Sequence, residues 1–196
     1  TGEDGTYEFC GLMPGTYKVC EVLQNGWTNV TPLCIPVDLV CEDSTDNDFI
    51  NKPEKQCETA WAKIEPSTCF PGTGNWGWYT KIPKGTIKPG EPYDEVGDIW
   101  AGAAKCDTSK GTNVGTAYVT LTAKEFHLTT DLFDSCTAND LHVWVGYVPP
   151  SGPVGRYPYK TADVKFKTPL DTTKDIYIAV HWGDMCCAKC FYMGTC

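Results

Sequence analysis

The segment of residues 11–27, GLMPGTYKVCEVLQNGW, constrains the possible fold more than any other part of this chain. It begins with a tight turn, because Pro14 presets a turn conformation and Gly15 accepts backbone angles that a side chain disfavours. The following residues alternate between two faces, which is typical of a β-strand. One face carries Tyr17, Val19 and Glu21. Residues 6–10 alternate as well, so we predict that the two segments pair as a hairpin.

Residues 4–21, DGTYEFCGLMPGTYKVCE, resemble the B-type repeats of Gram-positive surface adhesins and their archaeal and bacterial relatives. In that family the pattern DGxYxFxGLxPGTYxVxE forms the middle strands of a small prealbumin-like β-sandwich. Residues 45–51 resemble the closing strand of the repeat. The resemblance implies a role in stalks, fibres or coats rather than in catalysis.

A first strand and an acidic calcium loop normally precede this pattern in the family, and residues 1–53 lack both. We therefore expect these residues to form the C-terminal half of a sandwich. An open sheet edge and an uncovered apolar face are unfavourable in water. Either the first strand was removed from the chain, or another chain supplies it by strand addition.

Twelve cysteines in 196 residues are typical of a protein from an oxidising compartment. Both predicted domains contain an even number, as expected if each closes its own disulfides. The disulfide candidates are Cys10, Cys20, Cys34, Cys41, Cys57, Cys69, Cys106, Cys136, Cys186, Cys187, Cys190 and Cys196. We expect the adjacent Cys186 and Cys187 to reach opposite faces of a strand, and one cysteine of this tail is a candidate cross-link between subunits. A zinc or iron–sulfur site near His181 is the alternative for the tail.

We predict an all-β chain with a partial prealbumin-like sandwich at residues 1–53, a short linker at 54–57 and a larger antiparallel β-sandwich or jelly-roll at 58–196. The strands predicted for the larger domain are short, rich in β-branched and aromatic residues, and bounded by turn-forming residues. They cover residues 58–64, 96–105, 114–122, 126–132, 141–147, 164–167 and 176–182.

The larger domain also resembles a cysteine-rich extracellular β-domain found in secreted microbial proteins. The resemblance lies in residues 57–62, 69–70, 75–78 and 99–107, and it continues in 141–146 and 176–181. It implies an extracellular location and carries no catalytic assignment.

Four groups of residues are candidate sites. Phe70, Trp76, Trp78 and Tyr79 form an aromatic group that either stacks on sugars or packs inside the fold or an interface. Asp43, Asp46 and Asp48 lie in an acidic loop that either binds calcium or is a solvated turn. Asn29 begins the glycosylation sequon Asn-Val-Thr.

The fourth group follows from the resemblance to collagen-adhesin B-type domains. There, a glutamate in the YxVxE strand assists an isopeptide bond between a first-strand lysine and a last-strand asparagine. Glu21 matches the glutamate, and Asn47 or Asn51 matches the asparagine. The lysine has no counterpart here, so the resemblance implies a bond to a lysine of another chain.

Several function classes are disfavoured. A net charge of −9 argues against nucleic-acid binding, which requires a basic face. We expect no membrane span, because no run of 18 apolar residues occurs. Neither a nucleophile elbow nor a phosphate-binding loop is present. His142 alternates with apolar neighbours and is expected on the outer face of its strand. We therefore do not expect an enzyme.

These observations predict a structural subunit of a polymeric extracellular assembly at the cell surface, such as a filament, sheath or surface layer. We expect a homo-oligomer or homopolymer joined by strand addition and stabilised by disulfides, with no cofactor apart from possible calcium. The alternative is an adhesin or carbohydrate-binding module that uses an exposed Trp and Tyr face.

Overall fold

The computed structural model describes residues 2, 5–70 and 76–188, and the chain divides into two units, Thr1–Glu54 and Lys55–Cys196. The described residues form antiparallel strands and three short 3₁₀ helices, which confirms the all-β class. Only Glu54 separates the last strand of the first unit from the first strand of the second. Residues 55–57, predicted as part of a linker, therefore belong to a strand.

The first unit contains two small antiparallel sheets. The four strands are β1 (Gly15–Cys20), β2 (Trp27–Asn29), β3 (Cys34–Leu39) and β4 (Asn51–Pro53). Strand β1 pairs with β3, and β2 pairs with β4. The predicted alternation in β1 is observed, because Tyr17 and Val19 are half-buried while Thr16 and Lys18 are exposed.

The predicted hairpin between residues 6–10 and β1 is wrong. Residues 6–10 form no strand, and β1 instead pairs with β3, from Gly15 opposite Leu39 to Cys20 opposite Cys34. Alternation identifies a strand but does not identify its partner. The earlier segment is held by Tyr7, whose hydroxyl donates to the Asn47 carbonyl and whose ring lies 6.1 Å from that of Phe49.

The second unit contains one nine-stranded antiparallel sheet. All seven strands predicted for it are present, and the structure adds two short ones, β6 and β7. The strands are β5 (Lys55–Ile64), β6 (Ser67–Cys69), β7 (Trp78–Ile82), β8 (Tyr93–Ala101), β9 (Thr112–Leu121), β10 (Glu125–Leu132), β11 (Thr137–Gly146), β12 (Asp163–Lys165) and β13 (Ile176–Ala188). Their order is β12-β10-β9-β8-β5-β13-β7-β6, with β11 also paired to β13.

The sheet curls so that strands from both of its ends share one hydrophobic core. Apolar side chains of β8, β9 and β10 belong to the same buried cluster as those of β7, β11 and β13; they include Ile99, Val119, Phe126, Ile82, Val143 and Ile178. Tyr159 exchanges backbone hydrogen bonds of 2.9 and 3.3 Å with Val143 in β11, and β12 then pairs with β10. The chain therefore spans the gap between the two ends of the sheet and gives a sandwich-like fold.

Strand β13 is buried on both faces. Its residues Ile178 and Val180 belong to the main core, whereas Ala179 belongs to a second cluster with Trp61, Trp78, Ala103 and Tyr157. We call this second group the aromatic cluster. Successive residues of a strand point to opposite faces, so the aromatic cluster covers the side of the sheet that faces away from the main core.

Four disulfides cross-link the described residues: Cys20–Cys34, Cys57–Cys186, Cys69–Cys106 and Cys136–Cys187. None of the four joins the two units. The adjacent Cys186 and Cys187 bond in opposite directions, to β5 and to the residue before β11, because neighbouring side chains of β13 lie on opposite faces. A set of disulfides of this kind is typical of a secreted or extracellular protein.

Candidate functional site

A contact between Glu21 and Asn51 joins the two small sheets of the first unit. Glu21 follows β1, and its backbone N–H donates to the Leu33 carbonyl at 2.9 Å, which extends the β1–β3 ladder. Asn51 is the first residue of β4, and its Nδ2 donates to the Glu21 Oε2 at 2.6 Å. Of the predicted isopeptide residues, the structure therefore brings Glu21 and Asn51 together.

The other two side-chain oxygens of this pair lack a donor among the described residues. Glu21 Oε1 and Asn51 Oδ1 are buried, and neither accepts a hydrogen bond within the part of the chain that the structure describes. A buried acceptor without a donor destabilises the fold by roughly 1–3 kcal/mol, and more when it is charged. A lysine ammonium, with three N–H donors and a positive charge, is the side chain best suited to both oxygens.

The first unit exposes much apolar surface near its strands. Large apolar side chains with exposed fractions between 43% and 94% are Phe9, Leu12, Met13, Val22, Val30, Leu33, Val40 and Ile50. A groove of about 410 Å³ lies over β1, lined by Phe9, Leu12, Tyr17, Lys18, Val19 and Cys20. Each sheet of this unit has only two strands among the described residues, so every strand has one edge without a strand neighbour.

The third predicted isopeptide residue, Asn47, makes its side-chain hydrogen bonds elsewhere. Its Nδ2 donates to the Ser44 carbonyl at 3.3 Å and to the Ser44 Oγ at 3.1 Å. These bonds hold a local turn in the acidic loop. Asn51 is consequently the better match for the asparagine that the resemblance implies.

The three predicted calcium ligands, Asp43, Asp46 and Asp48, are exposed on an irregular segment. Within the described ranges, their carboxylates do not form a cluster of potential ligand atoms within 4.8 Å of one another. A site for a hard cation needs several converging oxygens. The geometry of the loop therefore favours a solvated turn.

The predicted thiolate site at the tail is not favoured either. Cys186 and Cys187 are both bonded in disulfides and have no thiolate to offer. Among residues 2, 5–70 and 76–188, the one metal-compatible cluster is Cys57, Asp184 and Cys186, and its two sulfurs are bonded to each other. Cys190 and Cys196 lie outside the described residues.

The predicted aromatic face packs into the fold. Trp78 is only 3% exposed, and the half-buried Phe70, Trp76 and Tyr79 pack against the aromatic cluster. The Phe70 ring lies 5.0 Å from that of Trp61 in an edge-to-face contact. A ring that stacks on a sugar needs an exposed face, so this arrangement favours the packing interpretation over sugar binding.

A pair of buried histidines, which no local sequence pattern indicates, lies beside the aromatic cluster. His142 in β11 and His181 in β13 are register partners, and their Nδ1 atoms are 3.4 Å apart. They are 6% and 7% exposed, so His142, which alternates with the core residue Val143 and was expected on the outer face of its strand, is covered there rather than left open. Burial, then the neighbouring His142, lowers the pKa of His181 to about 4, and Asp140 opposes this shift. Both the pairing and the burial depend on strand register and covering loops, which the local pattern does not specify.

Two further predictions concern the surface. The Asn29 side chain is exposed at the end of β2, and its Nδ2 donates to the Thr31 carbonyl at 2.8 Å, so the sequon is accessible. The described residues include no helix with the length and apolar character needed to cross a membrane.

Comparison with known proteins does not add an identity. No family model, curated protein or solved structure matches the chain. The resemblance to B-type repeats and to a secreted cysteine-rich domain therefore stays a prediction that stands on the quoted motifs.

Proposed function

We propose that this protein is a structural subunit of a polymeric extracellular assembly, a filament, sheath or surface layer at the cell surface. In this proposal, the first unit accepts a β-strand from a neighbouring copy, and disulfides keep each subunit from unfolding. The observation that carries the proposal is the Glu21–Asn51 pair, in which one buried oxygen of each side chain has no donor among the described residues, beside open sheet edges and exposed apolar side chains.

Three features support a strand as the incoming element. An open edge presents backbone N–H and C=O groups that a further strand can pair. The groove over β1 is lined by apolar atoms of Phe9, Leu12 and Val19, which favours alternating apolar side chains on the incoming strand. Glu21 and Asn51 favour a lysine at one position of that strand, because its ammonium supplies the missing donors.

The lysine also provides a route to a covalent link. Its neutral amine attacks Cγ of Asn51, the bond from Cγ to Nδ2 breaks, and an amide forms between the two side chains. One ammonia leaves, so atoms balance without an oxidant or a reductant. Glu21, hydrogen-bonded to Asn51 at 2.6 Å, is placed to carry the proton from the attacking amine to the leaving nitrogen.

Negative-stain microscopy of the native material, with and without reductant, tests the assembly. We expect regular fibres, tubes or sheets. Their loss on reduction would indicate that disulfides help to join subunits, and their persistence would indicate that strand addition suffices. A small monodisperse particle in both conditions would contradict the proposal.

A pair of matched variants tests the covalent step. A covalent link between subunits should give oligomers that resist heat and detergent. In Asn51→Ala we expect these oligomers to be absent, because the side chain that forms the amide is gone. Asn47→Ala, in the same segment, should retain them, since the side-chain amide of Asn47 donates to Ser44 and not to Glu21. Intact mass should show the loss of one ammonia per link, and an unchanged sum of subunit masses would exclude the bond.

A further inference from the structure

Two cysteines of the first unit are unpaired in the structure. Cys10 and Cys41 carry free thiols and are exposed, whereas the other eight cysteines among the described residues form disulfides. We propose that Cys10 and Cys41 form a disulfide with each other and close the first unit at the end opposite Cys20–Cys34. This inference does not depend on the proposed assembly.

The strand register places the two thiols at one end of the β1–β3 ladder. Cys20 and Cys34 are opposed at one end, and Gly15 and Leu39 are opposed at the other. Cys41 lies two residues beyond Leu39, and Cys10 lies five residues before Gly15. Antiparallel strands bring the start of one and the end of the other to the same place. Cys10 and Cys41 therefore both lie beyond the same end of the ladder.

Contacts on either side of the two cysteines hold their segments near each other. The hydroxyl of Tyr7 donates to the Asn47 carbonyl, and its ring lies 6.1 Å from that of Phe49. These contacts join the segment that contains Cys10 to the segment that follows Cys41. Between Cys10 and Gly15 the chain bends at Gly11 and at Pro14, and the Tyr17 hydroxyl donates to the Met13 carbonyl at 2.6 Å.

The electrostatic environment agrees with this placement. A hydrogen bond with Glu8, then the charge of Glu8, partial desolvation and last the charge of Asp43 raise the pKa of Cys10. Asp43 lies two residues beyond Cys41, so its effect on Cys10 requires the two segments to be neighbours in space. A thiol with a raised pKa is a poor nucleophile, which suits a structural disulfide better than a reactive site.

Both cysteines lie on segments that can adjust to bond formation. Residues 6–10 and 40–42 belong to no strand, so a small backbone shift breaks no ladder hydrogen bonds. The bond would enclose all of β1, β2 and β3 in one covalent loop. Such a cross-link contributes most to the stability of a unit with little core, because small domains depend on covalent restraints.

The bond forms by exchange with an external disulfide, which belongs either to a small molecule or to a protein thiol oxidase. The thiolate of one cysteine attacks the external disulfide and forms a mixed disulfide. The thiolate of the second cysteine then attacks the mixed disulfide and displaces the remaining external thiol. In total, Cys10 and Cys41 lose two protons and two electrons, and the external disulfide is reduced to two thiols.

Peptide mapping of the non-reduced full chain tests the proposal directly. Thiols are blocked with N-ethylmaleimide in denaturant, and the chain is then cut with trypsin and with a protease that cleaves before aspartate. Trypsin cuts after Lys18, which separates Cys10 from the other cysteines. Cleavage before Asp38 and Asp43 releases Cys41 on residues 38–42 and leaves Cys20 and Cys34 on residues 19–37.

We expect the peptide that contains Cys10 to be bonded to residues 38–42 and to be freed by reduction, with neither cysteine blocked. Two blocked cysteines would overturn the proposal. So would a bond from Cys10 to a peptide other than 38–42, or a dimer on a non-reducing gel that Cys10→Ser abolishes.

Single variants provide the matched control. In Cys10→Ser and in Cys41→Ser, the remaining partner should take up one maleimide where the native chain takes up none at these positions. This labelling is carried out in denaturant, so it does not require the variant to fold. The result is also independent of polymer formation, because a monomeric chain can contain the bond and a polymer can lack it.

Discussion

The two units of this protein are stabilised by different means. Among the described residues of the first unit, Val37 is the one buried large apolar side chain, and the unit exposes eight others. The second unit has a continuous core that extends over strands from both ends of its sheet, and an aromatic cluster on the opposite face. Small units with little core commonly depend on covalent cross-links for their stability.

The disulfides of the two units also differ in their structural role. In the first unit, Cys20–Cys34 joins β1 and β3, which form a sheet of only these two strands. In the second unit, Cys57–Cys186 and Cys136–Cys187 join β13 to its neighbours, where extensive ladders already exist. Removal of a disulfide should therefore affect the first unit more than the second, and removal of a core side chain should do the reverse.

The largest effect is expected for Phe126→Ala in the second unit. Phe126 is 1% exposed in the main core, and truncation of a buried phenylalanine costs about 3–5 kcal/mol in the free energy of unfolding. Chemical denaturation followed by tryptophan fluorescence measures it. Tyr118→Ala, at an exposed position of β9, is the control and should change the value by less than about 1 kcal/mol. Equal effects would contradict the assignment of the core.

The next effect is expected for the double variant Cys20→Ser, Cys34→Ser. The disulfide closes a loop with a sequence separation of 14 residues, which corresponds to about 3 kcal/mol. Val37→Ala, the matched core variant of this unit, should cost less, about 1–2 kcal/mol. Hydrogen exchange of β1 and β3 reports on this unit alone. If Val37→Ala proved the more damaging, the first unit would depend on its core after all.

The third effect concerns pH and the second unit. The pKa of His181 is about 4 in the folded protein against 6.5 as the ordinary value, so between these pH values the unfolded chain binds a proton that the folded chain does not. The free energy of unfolding should therefore decrease as pH falls from 6.5 to 4, by on the order of 3 kcal/mol, and should retain this contribution above pH 6.5. Denaturation at several pH values measures the slope.

Two histidine variants isolate this contribution. His181→Gln should flatten the slope between pH 6.5 and 4, because the group that titrates on unfolding is gone. His127→Gln, at an exposed position where the imidazole contacts the Asp163 carboxylate, should change the slope far less, because exposed ion pairs contribute little to stability. Identical slopes in both variants would show that other groups determine the acid sensitivity.

Much of the second unit could be predicted because its strands carry local signals. The alternating pattern of β9, β10 and β11 and their bounding turn residues located these strands to within a few residues. The short strands β6 and β7 were missed because residues 67–82 combine glycine and aromatic residues without a clear alternation. The pairing of residues 6–10 was predicted incorrectly, since a strand pattern contains no information about the partner.

The candidate site was only partly predictable. The resemblance around Glu21 indicated Glu21 and two asparagines as candidates. The structure brings Asn51 rather than Asn47 to Glu21. The His142–His181 pair and the burial of Trp78 carry no local signal, because both depend on segments distant in the sequence.

The sequence by itself determined that the chain is an antiparallel all-β protein rich in disulfides. Period-two alternation and cysteine content are local properties, so they can be read before the fold is known. Only the tertiary structure decided which strands pair, which cysteines bond and which polar atoms are left without donors. These outcomes depend on register and burial between residues far apart in the chain, as the Cys57–Cys186 bond and the Glu21–Asn51 contact illustrate. Many pairings are compatible with the same local pattern, and packing and cross-linking select one of them.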